Sequence, residues 1–329
     1  MDIIMKTGHT MRTSGIALLL GLALAILCGH VHAQYPDRII KGIVPFPAGG
    51  GTDIFARVIA QYMGKALGQN VVIENKGGAD GNIGMDSVAK SNPDGYTLLF
   101  NSSAATVNPA MYRNLPFDAI KDLRPVALVC EYYNLIVVNP VKVPAKTLNE
   151  FVALLRKNPG KFNAAAGGTR LPIDLFTVQN NLNMAVIPYR GAGDALTALL
   201  SGEADFMTVN APALTPHIIS GKIRALATTA PRRQPELPDV PTTREAGMPD
   251  YTYGSFFAVY VRAGTPAEIV VRLNSTINSI TSMPDVAARF RDLGAVATQM
   301  TPEESSNRYL GDISRFKDIM VRAGIPTLD

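Results

Sequence analysis

Histidine and cysteine are nearly missing from this sequence, with four and two among 329 residues. His9, His30, His32 and Cys28 all fall in the first 33 positions, so His217 and Cys130 stand alone in the remainder. No His/Cys cluster is left to build a zinc site. A single cysteine forbids an internal disulfide, and Cys130 ends the apolar run 125–129, where a buried, inert thiol is expected rather than a Cys130–His217 dyad. There is no Gly-x-Ser-x-Gly elbow, and the carboxylates do not pair in a way that departs from solvated helix faces. Metal-assisted, covalent and acid–base chemistry therefore lack residues, no cofactor is indicated, and an enzyme is not expected.

Long apolar runs are also lacking, apart from one at residues 16–27. Lys6 and Arg12 precede it, and Val31-His32-Ala33 follows with small residues at −3 and −1. That order describes a secretory signal peptide cleaved after Ala33. The run is shorter than the roughly 20 residues of a membrane span. Leu27 is too bulky for a lipid-attachment signal at Cys28. The mature chain would keep 296 of 329 residues, enough for two domains, and would be soluble. Lys6, Arg12 and Asp2 leave with the leader, so 31 basic and 27 acidic residues become 29 and 26, a net of +3. With no basic block and no low-complexity tail, nucleic acid is not an expected partner. Export without a disulfide framework fits a bacterial periplasmic protein of this size, expected to be a monomer.

What is present is alternation. Short apolar runs at 39–46, 71–73, 96–100, 126–129 and 135–138 read as strands, and the helical period marks 53–67. The last two strands lie so close that the chain is expected to pass there into a second domain. The alternation then restarts, with helices at 148–156, 171–182, 194–200 and 212–220 and strands at 162–166, 185–188, 205–209 and 223–227. Gly221 stops the fourth of those helices. A Pro-rich loop, 231–249, leads to a return strand at 256–260, and helices at 266–280 and 302–323 finish the chain. Thr265 and Thr301, each ahead of a proline, are expected to cap those two helices. The pattern implies an α/β architecture with mostly parallel sheets and a cleft between two domains.

The most informative local string is Pro45-Phe46-Pro47-Ala48-Gly49-Gly50-Gly51-Thr52-Asp53, between a strand and a helix. Its glycines allow close backbone approach, and the helix start offers free N–H groups and a positive dipole end, a place for an anion such as a carboxylate. Thr52 or Asp53 is expected to cap the helix. The glycines are not followed by Lys-Ser/Thr and do not spell Gly-x-Gly-x-x-Gly, which argues against a nucleotide.

Taken with Val72-Ile73-Glu74-Asn75, Gly81-Asn82-Ile83-Gly84 and Pro93-Asp94-Gly95-Tyr96-Thr97-Leu98-Leu99, this string resembles the Bug (TctC-like) family of tripartite tricarboxylate transporter receptors. Further strings agree: Pro188-Tyr189-Arg190-Gly191, residues 199–205 and 221–227, Leu237-Pro238-Asp239-Val240-Pro241-Thr242 and Glu245-Ala246-Gly247. The resemblance runs from about Tyr35 to the C-terminus. It implies a two-domain periplasmic binding protein of type II-like fold, a Venus flytrap, that closes on one small carboxylate. It also implies delivery to one large and one small integral membrane subunit. The domains would be 34–133 with 254–329, and 134–253. By position, Phe46, Ala48, Gly49, Gly50, Thr52 and Asp53 would form one wall, with Asn101, Ser102 and Ser103 beside it. Gly168 and Thr169, in the loop after the 162–166 strand, Tyr189, and the turn from Asn210 to Pro212 would form the other. Members of the family often bridge the carboxylate through water and backbone N–H groups.

The chain departs from the family at Gly167-Gly168-Thr169-Arg170-Leu171-Pro172, where the usual His-Leu pair is absent and an arginine stands nearby. If Arg170 faces the cleft, its planar fork can grip a second carboxylate, which suggests a dicarboxylate guest; the competing reading is a surface pair with Asp174. Arg190 replaces a common lysine, with a solvated or interdomain role favoured. Tyr189, Phe46 and Phe256 suggest an aromatic slot, although such residues are more often core. The acid itself stays open, aliphatic or aromatic. So does the alternative that the same cleft serves a ligand-sensing protein that presents the solute to a membrane sensor kinase.

Overall fold

Residues 40–44 are apolar on both faces except for Lys41, which suits a strand with neighbours on either side. In the computed structural model, which describes residues 35–167, 170–210, 214–251 and 253–329, that is what forms. Strand β1 (Ile40–Val44) runs parallel to β2 (Val71–Asn75) and to β3 (Thr97–Ser102). The crossover to β2 is helix α1 (Gly51–Leu67), whose stripe of Phe55, Val58, Ile59, Met63 and Leu67 is buried. Gly68 ends it in the left-handed conformation. Helix α2 (Asn82–Ala89) makes the next crossover. The export leader and its cleavage point lie outside the described residues. Residues Arg38–Asp329 form one compact unit, and the elements below belong to it.

After α3 (Ala104–Met111) and the short α4 (Ala119–Asp122) comes the main departure from the sequence reading. The two strands expected at 126–129 and 135–138 are one strand of 16 residues, β4 (Leu123–Val138). No glycine interrupts it, and nearly all of it is buried. Its first part pairs antiparallel with β9 (Gly254–Arg262), down to Tyr133 opposite Gly254, and with β10 (Ala295–Ala297). Its second part, from Asn134, pairs antiparallel with β7 (Phe206–Asn210) and β8 (Arg224–Thr228). Register shifts near Pro125 and Leu128 act as bulges that let so long a strand bend. β4 and β9 therefore belong to both halves of the sheet or border both, one carrying the chain out and the other back. That opposed travel makes the sheet mixed where mostly parallel pairing was expected.

The second half repeats the alternation: α5 (Leu148–Lys157), β5 (Asn163–Ala166), α6 (Leu171–Gln179), β6 (Ala185–Pro188), α7 (Ala192–Ser201), then β7, α8 (Thr215–Ile219) and β8. β5 runs parallel to both β6 and β7. The order across the sheet is β2-β1-β3-β9-β4-β7-β5-β6, with β8 and β10 branching from β4. One apolar cluster, built on Ile43, Leu99 and Phe256, lies in the first half and another, on Leu135, Ala195 and Met207, in the second. A third joins Val107, Met111 and Phe316 of the first to Phe151, Phe176 and Phe206 of the second. Cys130 is fully buried on β4 and free; burial pushes its thiol well above the usual range.

Helices α9 (Ala267–Thr281), α10 (Pro284–Asp292) and α11 (Pro302–Ala323) return to the first half. The two expected threonine caps divide. Thr301 caps α11 in a full capping box with Glu304. Thr265 does not cap α9: its hydroxyl donates to the Arg262 carbonyl at 2.7 Å inside the preceding turn, and Pro266 takes the cap position. Thr301→Ala is expected to lower stability by about 1 kcal/mol, read as a lower urea midpoint at unchanged slope. A midpoint equal to wild type would show that the box contributes nothing.

Candidate functional site

Helix α1 begins without a side-chain cap. Gly50 holds the cap position with extended backbone, and the first helical bond runs from Ile54 N–H to the Gly50 carbonyl at 3.0 Å. The N–H groups of the first turn are therefore left without intrahelical partners. Neither Thr52 nor Asp53 supplies the expected cap, because Gly50 holds that position and the two lie beyond it in the first turn, where Asp53 turns back instead. Its Oδ2 accepts from Gly49 N–H and from Arg57 Nε, both at 2.9 Å, and its Oδ1 accepts from Asn75 Nδ2 at 2.9 Å. Asn75 Nδ2 also donates to the Phe46 carbonyl at 2.9 Å. Asp53 thus braces the turn from behind. Gly49, at φ +84°, takes a conformation that a side chain would strain. Burial alone would push the Asp53 carboxyl up, but hydrogen bonds from Arg57, Gly49 N–H and Asn75 and the Arg57 charge together hold it below the ordinary aspartate value.

Facing this turn across a cleft is a second helix start. Gly191 is the cap of α7, again with no side-chain cap, and the first bond runs from Ala195 N–H to its carbonyl at 3.1 Å. The cleft is lined by Phe46, Pro47, Gly50, Gly51 and Thr52 from one half and by Gly191, Ala192 and Gly193 from the other. Ser102, Ser103, Asn134, Thr208, Val209 and Ser255 come from strand ends between them, with Gly167 and Pro172. Ser103 and Ser255 join through their hydroxyls at 2.7 Å, which ties the end of β3 to β9. None of the described lining residues carries a charge. Each helix has an aspartate in its first turn, and each is matched by an arginine: Arg57 to Asp53 at 2.9 Å, Arg190 to Asp194 at 2.7 Å. Neither acid leaves an unbalanced negative charge beside the free N–H groups. Two uncapped, positive helix ends facing one uncharged cleft make an environment for an anion with two ends.

Of the residues singled out in the sequence, Phe46, Gly50, Thr52, Ser102 and Ser103 line the cleft. Ala48 and Gly49 sit exposed at the tip of the turn. Asn101 is fully buried just below, its Oδ1 accepting the Ser102 N–H at 2.8 Å, while its Nδ2 has no partner. Arg170 closes its fork on Asp174, Nε to Oδ2 at 2.7 Å and an Nη to Oδ1 at 2.8 Å, and is absent from the lining. The Tyr189 hydroxyl donates to Glu203 at 3.0 Å, also outside the lining. Asn210 ends β7 opposite Asn134. Phe256 is core. Gly168, Thr169 and Pro212 lie outside the described residues. The sequence reading did not name Pro47, Gly51, Asn134, Pro172, Thr208, Val209, Ser255 or the α7 start as site residues. The last had a signal: Gly191-Ala192-Gly193-Asp194 after a strand repeats the glycine-then-aspartate pattern of 49–53.

Among the described residues no three His, Cys, Asp or Glu side chains stand together as a metal site, and no helix is long and apolar enough to cross a membrane.

Comparison with known proteins identifies the family and the fold. The profile of TctC, the tripartite tricarboxylate transporter family receptor, matches residues 55–324. Protein BugT of Bordetella pertussis is 37% identical over 310 residues, covering 92% of this chain and 95% of its own. R. palustris Rpa4515, solved with adipate, superimposes with a TM-score of 0.86 at 31% identity, covering 89% of this chain and all of that one. MatC from Rhodopseudomonas palustris, solved with bound malate, does so at 0.83 and 33% identity, covering 87% and 99%. Both carry their guests on this α/β fold. The chain accordingly belongs to the TctC (Bug) family of periplasmic solute-binding receptors, and is a binding protein rather than an enzyme.

Proposed function

We propose that this receptor captures a small dicarboxylate and delivers it to the large and small integral subunits of a tripartite tricarboxylate-type transporter. In this reading the leader is removed after Ala33. The two halves of the sheet act as domains, 34–133 with 254–329 against 134–253. The observation that carries the proposal is the pair of uncapped helix starts, α1 and α7, lining one uncharged cleft from opposite sides. One carboxylate sits at each helix end and is held by backbone N–H groups, directly or through water. The second anchor is then the α7 start, and Arg170 stays with Asp174. The relatives solved with adipate and malate hold guests of the same two-ended kind.

Closure follows from the same geometry. A guest touching only one half gains nothing from closing, whereas a guest bridging both gains its second set of contacts only in the closed state. The population shifts accordingly. The transporter would read that closed shape.

Malate and adipate are expected to raise the melting temperature, with a dicarboxylate at about 100 times its Kd adding about 2.7 kcal/mol of stability. 3-Hydroxybutyrate and hexanoate, which lack one acid group of malate and adipate respectively, should bind at least about tenfold more weakly, since one charge-assisted set of bonds is gone. Equal affinity for mono- and diacid, by titration calorimetry, would defeat the two-anchor reading. Arg170→Ala should leave the diacid Kd within about twofold, as for a surface pair; a tenfold loss would restore Arg170 as the second anchor.

Asp53→Ala removes the brace behind α1. It should cost about 2–3 kcal/mol at neutral pH, the scale of hydrogen bonds to a buried charge, and weaken diacid binding. The folded carboxyl lies below its unfolded value, so its stabilisation is present above about pH 4 and is lost as pH falls through the folded value. The gap between wild type and Asp53→Ala in urea unfolding should therefore narrow on acidification from pH 6 to pH 3. A constant gap would mean that the ionised brace contributes no stability.

A further inference from the structure

We infer that Gly191 sets how far the receptor can close, by receiving the Pro47 ring of the opposite half where any side chain would meet it first. This rests on the closure reading above but concerns a contact that ligand binding does not itself require. The backbone at Gly191 is extended, at φ −179° and ψ 178°, a conformation open to every residue, so the fold does not need glycine there. What excludes a side chain is the other half of the molecule. A Cβ at Gly191 would stand 2.9 Å from Pro47 Cδ and 3.3 Å from its Cγ, and no atom of Gly191's own half is among its nearest neighbours. Contact below 3.0 Å forces something to move.

The ring is poorly placed to yield. Its torsion is fixed by the pyrrolidine. Behind it lies Gly77, where an added Cβ would already be 3.4 Å from Pro47 Cδ and 3.6 Å from its N. The residue before it is tied down through the Asn75 bond to the Phe46 carbonyl. Pro47 is thus a stop between Gly77 on its own side and Gly191 on the other, and Pro47 and Gly191 both line the cleft. An alanine at 191 would leave the backbone of both turns unstrained and still hold the halves apart. Gly191 is a positioning residue: it touches the guest's surroundings and acts through the approach of Pro47.

The test is a double-mutant cycle read on closure and on affinity. Exposed positions Ala66 and Lys222, one in each half, are changed to cysteine (Ala66→Cys, Lys222→Cys) and spin-labelled, Cys130 being buried and unreactive. Distances are recorded with and without malate or adipate. In the otherwise native protein the diacid should enrich the shortest distance. Gly191→Ala should remove that component and weaken the diacid Kd by about tenfold or more, mainly through faster release. Adding Pro47→Ala deletes the two clashing carbons. In that background Gly191→Ala should change Kd by less than about twofold and regain the short distance. The inference is overturned if Gly191→Ala closes and binds like wild type, or if its loss is the same with and without Pro47→Ala, which would mark a merely local effect on α7. If neither diacid binds the native protein, the proposed solute class fails instead. The inference then stands or falls on the ligand-free distances, whose shortest component Gly191→Ala must eliminate and Pro47→Ala restore.

Discussion

Everything at this site depends on which way the Asp53 carboxylate points. An aspartate at the cap position of a helix accepts from the first-turn amides and satisfies them, but the cap of α1 is Gly50 and Asp53 lies three residues beyond it. Here it turns back and takes the Gly49 N–H, the Arg57 guanidinium and the Asn75 amide. The loop is fixed and its charge is balanced, yet the first-turn N–H groups stay unclaimed by any side-chain cap. A cap in the ordinary position would have made a more stable helix and a poorer anion site.

The same economy appears at α7, with less bracing. Asp194 is matched by Arg190 at the surface, and a glycine holds the cap position. Neither half therefore contributes a full charge to the cleft. Attraction for an anion comes from backbone dipoles, which are fixed in direction and need no reorganisation when the guest arrives. Such a cleft suits an anion with two ends, spaced by the distance between the two helix starts.

That distance is governed by the strands between the halves. β4 runs unbroken from the β9 and β10 side to the β7 and β8 side, with the change of partners at Tyr133 and Asn134. Lining residues Asn134 and Ser255 sit at this crossing, so the strands that join the two halves also form the floor of the cleft. Beside it, Arg308 bonds Glu131 of β4 at 2.6 Å and the buried Asp312 of its own helix at 2.8 Å, which anchors α11 to the crossing.

Much of this was legible in the residues. Alternating apolar runs and helical periods located most strands and helices within a few positions, the glycine turn before α1 was found, and the scarcity of histidine and cysteine removed most catalytic chemistry. Such signals are local: a helix period, a cap or a turn is written within four or five neighbours. Tertiary structure alone decided that β4 is one strand, that α7 faces α1, that Arg170 spends its fork on Asp174, that Asp53 braces instead of capping, and that Gly191 meets Pro47. Each of these turns on which of several available partners a residue finds. For α7 with α1 and Gly191 with Pro47, strand order and packing bring the partners together across more than a hundred positions. For Asp53 and Arg170 the partners were within reach along the helix, and only the packed structure decided which of them each residue took.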